Sequence, residues 1–300
     1  MTSTLHRPAE LRADGPFELA ASARFLEGFT PAARADAARE PGALRLAFPV
    51  EGSWQHAGVL IRQRAPGAVA ISVEAGEDVA EQAVRQVRRI LSLDLPGEGF
   101  AAVGQADPVV GRLQARYPGL RPVLFHSPYE AACWAVIAAR LRMVQAASIK
   151  QRIAQRYGEP VEVAGQQLAS FPSPQALLSI DEPLGLPEIK GERLRSVARA
   201  ASDGLLDAEE LRALDPEEAL RRLQRLPGIG PFSAELILIR GAGHPDLFPA
   251  NETRLHEEMR ELYELPDATP AELRALAERW KPYRSWVALL LRTHREDRLG

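Results

Sequence analysis

Residues 217–252 constrain this chain more than any other stretch. Leu220, Leu223 and Leu226 recur at helical spacing, the pattern breaks across Pro227-Gly228-Ile229-Gly230, and it resumes at Ala234, Ile237 and Leu238. The spacing predicts a helix, a tight hairpin and a second helix. Pro231 suits the first helical position, where its missing N–H would have no partner anyway, and the two glycines let the backbone turn without a Cβ in the way. The N–H groups of such a hairpin point outward together. With the positive end of the following helix they can hold a phosphate oxygen. A clamp of this kind needs little net positive charge, and the chain carries −3. That value excludes a protein that coats nucleic acid by bulk charge, so any such contact has to be local.

Three hundred residues with 46% hydrophobic content suffice for a substantial core, and the length suits two domains. The expected class is α+β: a mixed N-terminal scaffold domain over 1–120, then a helical domain over 121–300. In the first, Leu44, Leu46, Phe48 and Val50 alternate, as do Val59 with Ile61, and Val69, Ile71 and Val73. These are antiparallel strands of a small sheet, and Val84, Val87 and Leu91 mark a helix over about 78–93 that covers it. Between 95 and 126, Pro96-Gly97, Asp107-Pro108 and Pro118-Gly119 punctuate one short helix of a crossover. From 127 onward the chain reads as a helical bundle. Ser127-Pro128, Ser173-Pro174, Asp215-Pro216 and Thr269-Pro270 each pair a cap with a proline at the first helical position. Glu130, Glu218 and Glu272 then complete three capping boxes.

Leu226-Pro227-Gly228-Ile229-Gly230, Arg240-Gly241 and an acid twelve positions after Arg240 resemble the helix-hairpin-helix, Gly/Pro-Asp superfamily of DNA glycosylases. Trp280-Lys281-Pro282-Tyr283-Arg284-Ser285 and Tyr157-Gly158-Glu159 are similar to its 3-methyladenine DNA glycosylase II branch. The resemblance implies base excision from DNA, with Pro227, Gly228, Ile229 and Gly230 on the phosphate backbone. It also implies an aspartate after the hairpin, and Glu252 stands at that position. Asn251 reads as a helix cap, which puts Glu252 in the first turn, where the macrodipole favours its ionised form by about 0.3–1 kcal/mol. Such a carboxylate can stabilise positive charge on the sugar, although a surface acid complementing the dipole fits the same position. Asp246 is a second candidate.

Phe232 occupies the place where strand-cutting relatives carry a lysine. The expected chemistry is therefore monofunctional hydrolysis, and Phe232 is either a core residue or an aromatic wall for an extruded base. The helix from Pro128 is expected to continue through Arg142, with Arg140 and Leu141 at the family's polar and wedge positions. An apolar side chain there fills the stack when a nucleotide flips out. Tyr129 and Trp286 are further pocket candidates. Arg292 falls where the branch has a tryptophan, and a cation there selects against cationic alkylpurines. The expected partner is double-stranded DNA with a damaged base, and the alternative is a non-catalytic binder of damaged duplex.

The resemblance calls for no cofactor, a monovalent cation at the hairpin being the one ion it admits. The six histidines show no metal-ligand spacing. The single cysteine, Cys133, excludes an internal disulfide and a four-cysteine cluster. No stretch reaches a membrane span and residues 1–30 lack a secretory pattern, so a monomeric, cytoplasmic, nucleoid-associated protein is expected.

Overall fold

The computed structural model describes residues 4–5, 8–32, 34–182 and 184–299. Strands β1 (Thr4–Leu5), β2 (Ala9–Arg12), β3 (Ala43–Pro49), β4 (His56–Ala65) and β5 (Ala68–Ala75) form one antiparallel sheet. Its order is β1-β5-β4-β3, with β2 also on β5. The alternating residues of the last three strands are its apolar face: Leu44, Leu46, Phe48, Val59, Ile61, Val69, Ile71 and Val73 are all at most 2% exposed. Helices α1 (Leu19–Gly28) and α2 (Glu77–Ile90) contribute Leu19, Val79, Ala83, Val87 and Ile90 to the same core. The second of these stops short of the expected 93. Ser92 takes φ 52° and the Leu93 N–H closes back on the Arg88 carbonyl, which ends the helix. β1 and β2 carry too few residues to show a period, and the sequence reading missed both.

The crossover holds two helices, α3 (Glu98–Ala106) and α4 (Pro108–Arg116), rather than one. Asp107-Pro108 is a helix start, not a break: Asp107 Oδ1 accepts the amides of Val109 and Val110. Its other oxygen accepts Tyr263 OH at 2.8 Å and Trp280 Nε1 at 3.2 Å. Phe100, Val103, Val110 and Leu113 accordingly share a core with residues of α12 (Thr253–Leu262), α13 (Pro270–Ala277) and α14 (Arg284–Leu299).

The remaining helices are α5 (Pro128–Ala138), α6 (Met143–Tyr157), α7 (Pro174–Leu178), α8 (Glu188–Ser202), α9 (Ala208–Ala213), α10 (Pro216–Gln224) and α11 (Pro231–Leu236). The helical part is not purely α. A β-hairpin of β6 (Pro160–Val163) and β7 (Gln166–Ala169) interrupts it, turned by Ala164 and Gly165 at φ 48° and 78°. It lies on the sheet, because a Cβ on Gly58 would come 2.8 Å from Val163 and 2.9 Å from Val161. Only a residue with no side chain allows that approach.

Of the three expected capping boxes, Thr269 with Glu272 is reciprocal. Ser127 and Asp215 accept the expected amides, but Glu130 turns to Lys150 and Glu218 to Arg221. An opposite charge nearby outcompetes a neutral N–H for a carboxylate.

Candidate active site and nucleic-acid interface

Between α10 and α11 the expected hairpin is present, and its residues are not equivalent. Ile229 is 5% exposed and packs in the helical core, while its amide donates to the Leu226 carbonyl at 3.0 Å. It anchors the hairpin from inside instead of facing DNA, which corrects its assignment as a contact residue. Pro227, Gly228 and Gly230 are exposed. Gly228 has φ 89°, a left-handed conformation that glycine adopts at no steric cost, whereas Gly230 has φ −92° and nothing within 4 Å of where a Cβ would stand. The hairpin therefore needs glycine at 228 for its turn and tolerates a side chain at 230.

Beyond α11 the helix widens into a π-helical segment, Ile237–Ala242. Arg240 and Gly241 there serve packing. The Arg240 guanidinium stacks on Phe29 at 4.5 Å and Phe25 at 5.1 Å, and donates to the Val123 carbonyl at 2.6 Å. Burial pushes its pKa down to about 10. A Cβ on Gly241 would meet Pro128 Cα at 2.8 Å and Ala131 Cβ at 3.0 Å, so this segment lies directly on α5.

Glu252 sits where the chain re-enters a helix, but as the cap itself. Its side chain accepts the Arg254 amide at 3.2 Å, and Asn251 is one residue outside. Asn251 has a different duty, which corrects its reading as the cap. Its amide and Nδ2 donate to Glu235 at 3.0 and 2.8 Å, and the Ala250 amide adds a third bond at 3.2 Å. Glu235, on α11 and 6% exposed, thus holds the loop that presents Glu252. Burial raises its pKa against those three bonds, which pull the other way. Glu235 was missed in the sequence because nothing there links it to 250–251.

The Glu252 side chain is 22% exposed, and Arg292 Nε lies 4.0 Å from its Oε2. Arg292 Nη2 binds Glu296 at 2.6 Å, while its Nη1 is buried with no hydrogen-bond partner among the described residues. Sequence reading placed Arg292 in the base pocket, and the fold sets it beside Glu252. Asp246 is engaged elsewhere: Arg284 grips it through Nε at 2.8 Å and Nη2 at 3.1 Å, fixing its loop to α14. That fork removes it as a rival acid.

Of the aromatic candidates, Phe232 is 47% exposed beside the hairpin and so is not a core residue. Tyr129 is fully buried with its hydroxyl on the Pro172 carbonyl, and Trp286 is 2% exposed between Phe100 and Tyr283. Both are packing residues, a correction to their place in a pocket. Cys133 is fully buried, and burial pushes its thiol pKa up.

The helix from Pro128 does not continue through 142. It ends at Ala138, and Arg140 takes φ 59° in a turn before α6. Five apolar residues at the helix end and the absence of proline gave no stop signal, but the left-handed residue forces one. The turn projects Arg140 and Arg142 into solvent and leaves Leu141 half-buried against the core. Met143 and Val144 follow at 41% and 75% exposed, apolar side chains at this turn that the sequence reading overlooked.

An α+β frame, a helix-hairpin-helix with exposed glycines and a loop-held carboxylate one loop later define the helix-hairpin-helix class of DNA-repair folds. The chain belongs to the HhH-GPD superfamily of base excision DNA repair proteins, matching over residues 133–282. It is 31% identical over 224 residues to DNA-3-methyladenine glycosylase 2 of Escherichia coli (strain K12), covering 73% of this chain and 74% of that one. To DNA-3-methyladenine glycosylase of Bacillus subtilis (strain 168) it is 25% identical, over 70% of this chain and 71% of the relative. Among solved structures, a 3-methyladenine DNA-glycosylase from Archaeoglobus fulgidus superposes with a TM-score of 0.78 at 23% identity, covering 97% and 98% of the two chains. At that identity the likeness speaks to the fold alone.

Proposed function

We propose that this chain is a monofunctional DNA glycosylase of base excision repair. It binds duplex DNA, extrudes a damaged base and hydrolyses its N-glycosidic bond. The observation that carries the reading is the Glu252 carboxylate, set at a helix start by a loop that a buried Glu235 holds through three hydrogen bonds. As the bond to the base lengthens, its electron pair leaves with the base and C1′ becomes positive. A preorganised carboxylate stabilises that charge, and water completes the substitution. Phe232, in place of the family's lysine, leaves water as the nucleophile. The exposed hairpin holds the backbone, and the turn carrying Arg140 and Leu141 occupies the gap in the stack. The names of the relatives point to alkylated bases. Arg292 beside Glu252 favours neutral lesions with hydrogen-bond acceptors over cationic ones.

One observation supports a second reading, a DNA-binding protein without catalysis: Arg292 lies close enough to Glu252 to draw on the charge that catalysis would use. Oligonucleotides bearing alkylated, deaminated or oxidised bases, followed by alkaline cleavage of abasic sites, separate the two. Base release by the natural chain and its collapse in Glu252→Gln, with duplex binding kept, is the expected result. No release from any lesion, with equal binding by both proteins, would leave the binding protein as the reading.

A further inference from the structure

Helix α8 touches both elements assigned to DNA, and it does so with one face. Lys190 and Arg193 are three residues apart and hence neighbours on the helix surface. Lys190 Nζ donates to the carbonyls of Ile137 at 2.8 Å, in the last turn of α5, and of Ala139 at 2.7 Å, its C-terminal cap, just before the turn that carries Arg140 and Leu141. A buried ammonium there closes a helix C-terminus that has no glycine to do so. One turn further on, Arg193 lies across the hairpin. A Cβ on Gly228 would come 2.6 Å from Arg193 Cδ and 3.0 Å from its Nε.

Arg193 is half-buried, yet among the described residues it has no hydrogen bond or ion pair. Arg212, Arg284 and Arg292, half-buried as well, pair with Asp94, Asp246 and Glu296, whereas Arg195 on the same helix shares the lack of a partner among the described residues; Arg193 differs from it in lying against Gly228. None of its guanidinium nitrogens is buried, so the group faces solvent and is free to meet an anion. The amides of Gly228 and Gly230, beside it, likewise donate to no acceptor among the described residues. A planar cation on unpartnered N–H groups matches a phosphodiester oxygen in geometry and charge.

We infer that Arg193 contacts the DNA backbone at the hairpin, completing a phosphate site from side chain and main chain, and that α8 spaces this site from the Arg140–Leu141 turn. The inference rests on the duplex binding proposed above, but not on catalysis. Lys190 has a positioning role in it, since both carbonyls it binds are protein.

The test is fluorescence anisotropy with a labelled duplex containing a tetrahydrofuran abasic analogue, titrated over a range of KCl concentrations. The proteins are the natural chain, Arg193→Ala, Arg193→Lys, Lys190→Met and, as a control on the sheet, Arg64→Ala. Arg193→Ala is expected to bind about tenfold more weakly at low salt and to lower the slope of log K against log salt by about one, while Arg193→Lys keeps the slope. Lys190→Met, checked for folding by circular dichroism, should keep the slope as well. An unchanged slope in Arg193→Ala overturns the inference, as does an equal loss in Arg64→Ala. A natural chain that binds no duplex overturns the proposed function together with it.

Discussion

Glu235 illustrates how a site residue can be invisible in sequence and central in structure. Its carboxylate takes three N–H donors from 250–251, so replacing it by alanine frees the loop that presents Glu252 and leaves the hairpin untouched. Glu235→Ala is expected to lower turnover about a hundredfold or more with little change in duplex binding, in line with the cost of misplacing a reacting group by about 1 Å. Single-turnover release and anisotropy, measured side by side, check it. Because burial raises the folded-state pKa of Glu235, its linked stability is fully present below the unfolded pKa and is lost as pH rises through the folded one. Ionisation thus costs stability but supplies the acceptors. The acid limb of turnover should shift to lower pH in Glu235→Gln; a limb that stays in place would assign it to another group. The hairpin glycines give a second residue-level contrast. Gly230→Leu should keep its melting temperature and lose DNA affinity, whereas Gly228→Leu should lose both, since φ 89° and the Arg193 side chain oppose any Cβ.

At the scale of elements, the turn between α5 and α6 depends on ties behind it. Glu130, 4% exposed on α5, binds Lys150 on α6 at 2.5 Å and lies 2.9 Å from His126. Burial would raise its pKa, but the neighbouring His126 and Lys150 hold it far below the ordinary glutamate value. A depressed carboxyl contributes stability above its unfolded pKa and loses it as pH falls through the folded one. The natural chain should therefore weaken in acid below about pH 4.5, the unperturbed glutamate value. Glu130→Gln should be less stable at pH 7 by about 3–5 kcal/mol, because Lys150 is left buried and unpaired, and should lose less on acidification. Urea melts of both proteins at pH 7 and pH 4 measure the difference; parallel losses in acid would count against the pair.

For the molecule as a whole, a net charge of −3 and a binding face built from main-chain N–H groups with a few arginines imply weak salt dependence. The slope of log K against log salt is expected to be shallower than about −4, at about −0.9 for each phosphate neutralised. A slope steeper than about −6 would call for a basic surface beyond Arg140, Arg142 and Arg193. The two halves are also joined through the functional helix. Arg240, just past α11, lies over the stacked rings of Phe25 and Phe29 in the N-terminal part. Arg240→Ala should lower the melting temperature of the whole chain as one transition, and two separate calorimetric transitions would show that this pin does not couple the halves.

Local rules on the page were enough for the α+β class, the three long strands and the helix-hairpin-helix, because period, proline and glycine act within a few residues of themselves. The family resemblance made Glu252 a candidate by its distance from the hairpin, a step beyond those local rules. They overran α5, because a left-handed Arg140 leaves no mark in composition, and they put Tyr129 and Trp286 in a pocket that burial denies them. Which acid holds the loop, which acid is spent on Arg284, and which arginine lies unpaired on Gly228 are all contacts between residues far apart in the chain. Hydrogen bonds and ion pairs act over a few ångströms, and only the packing of α8, α11 and α14 decides which groups come that close.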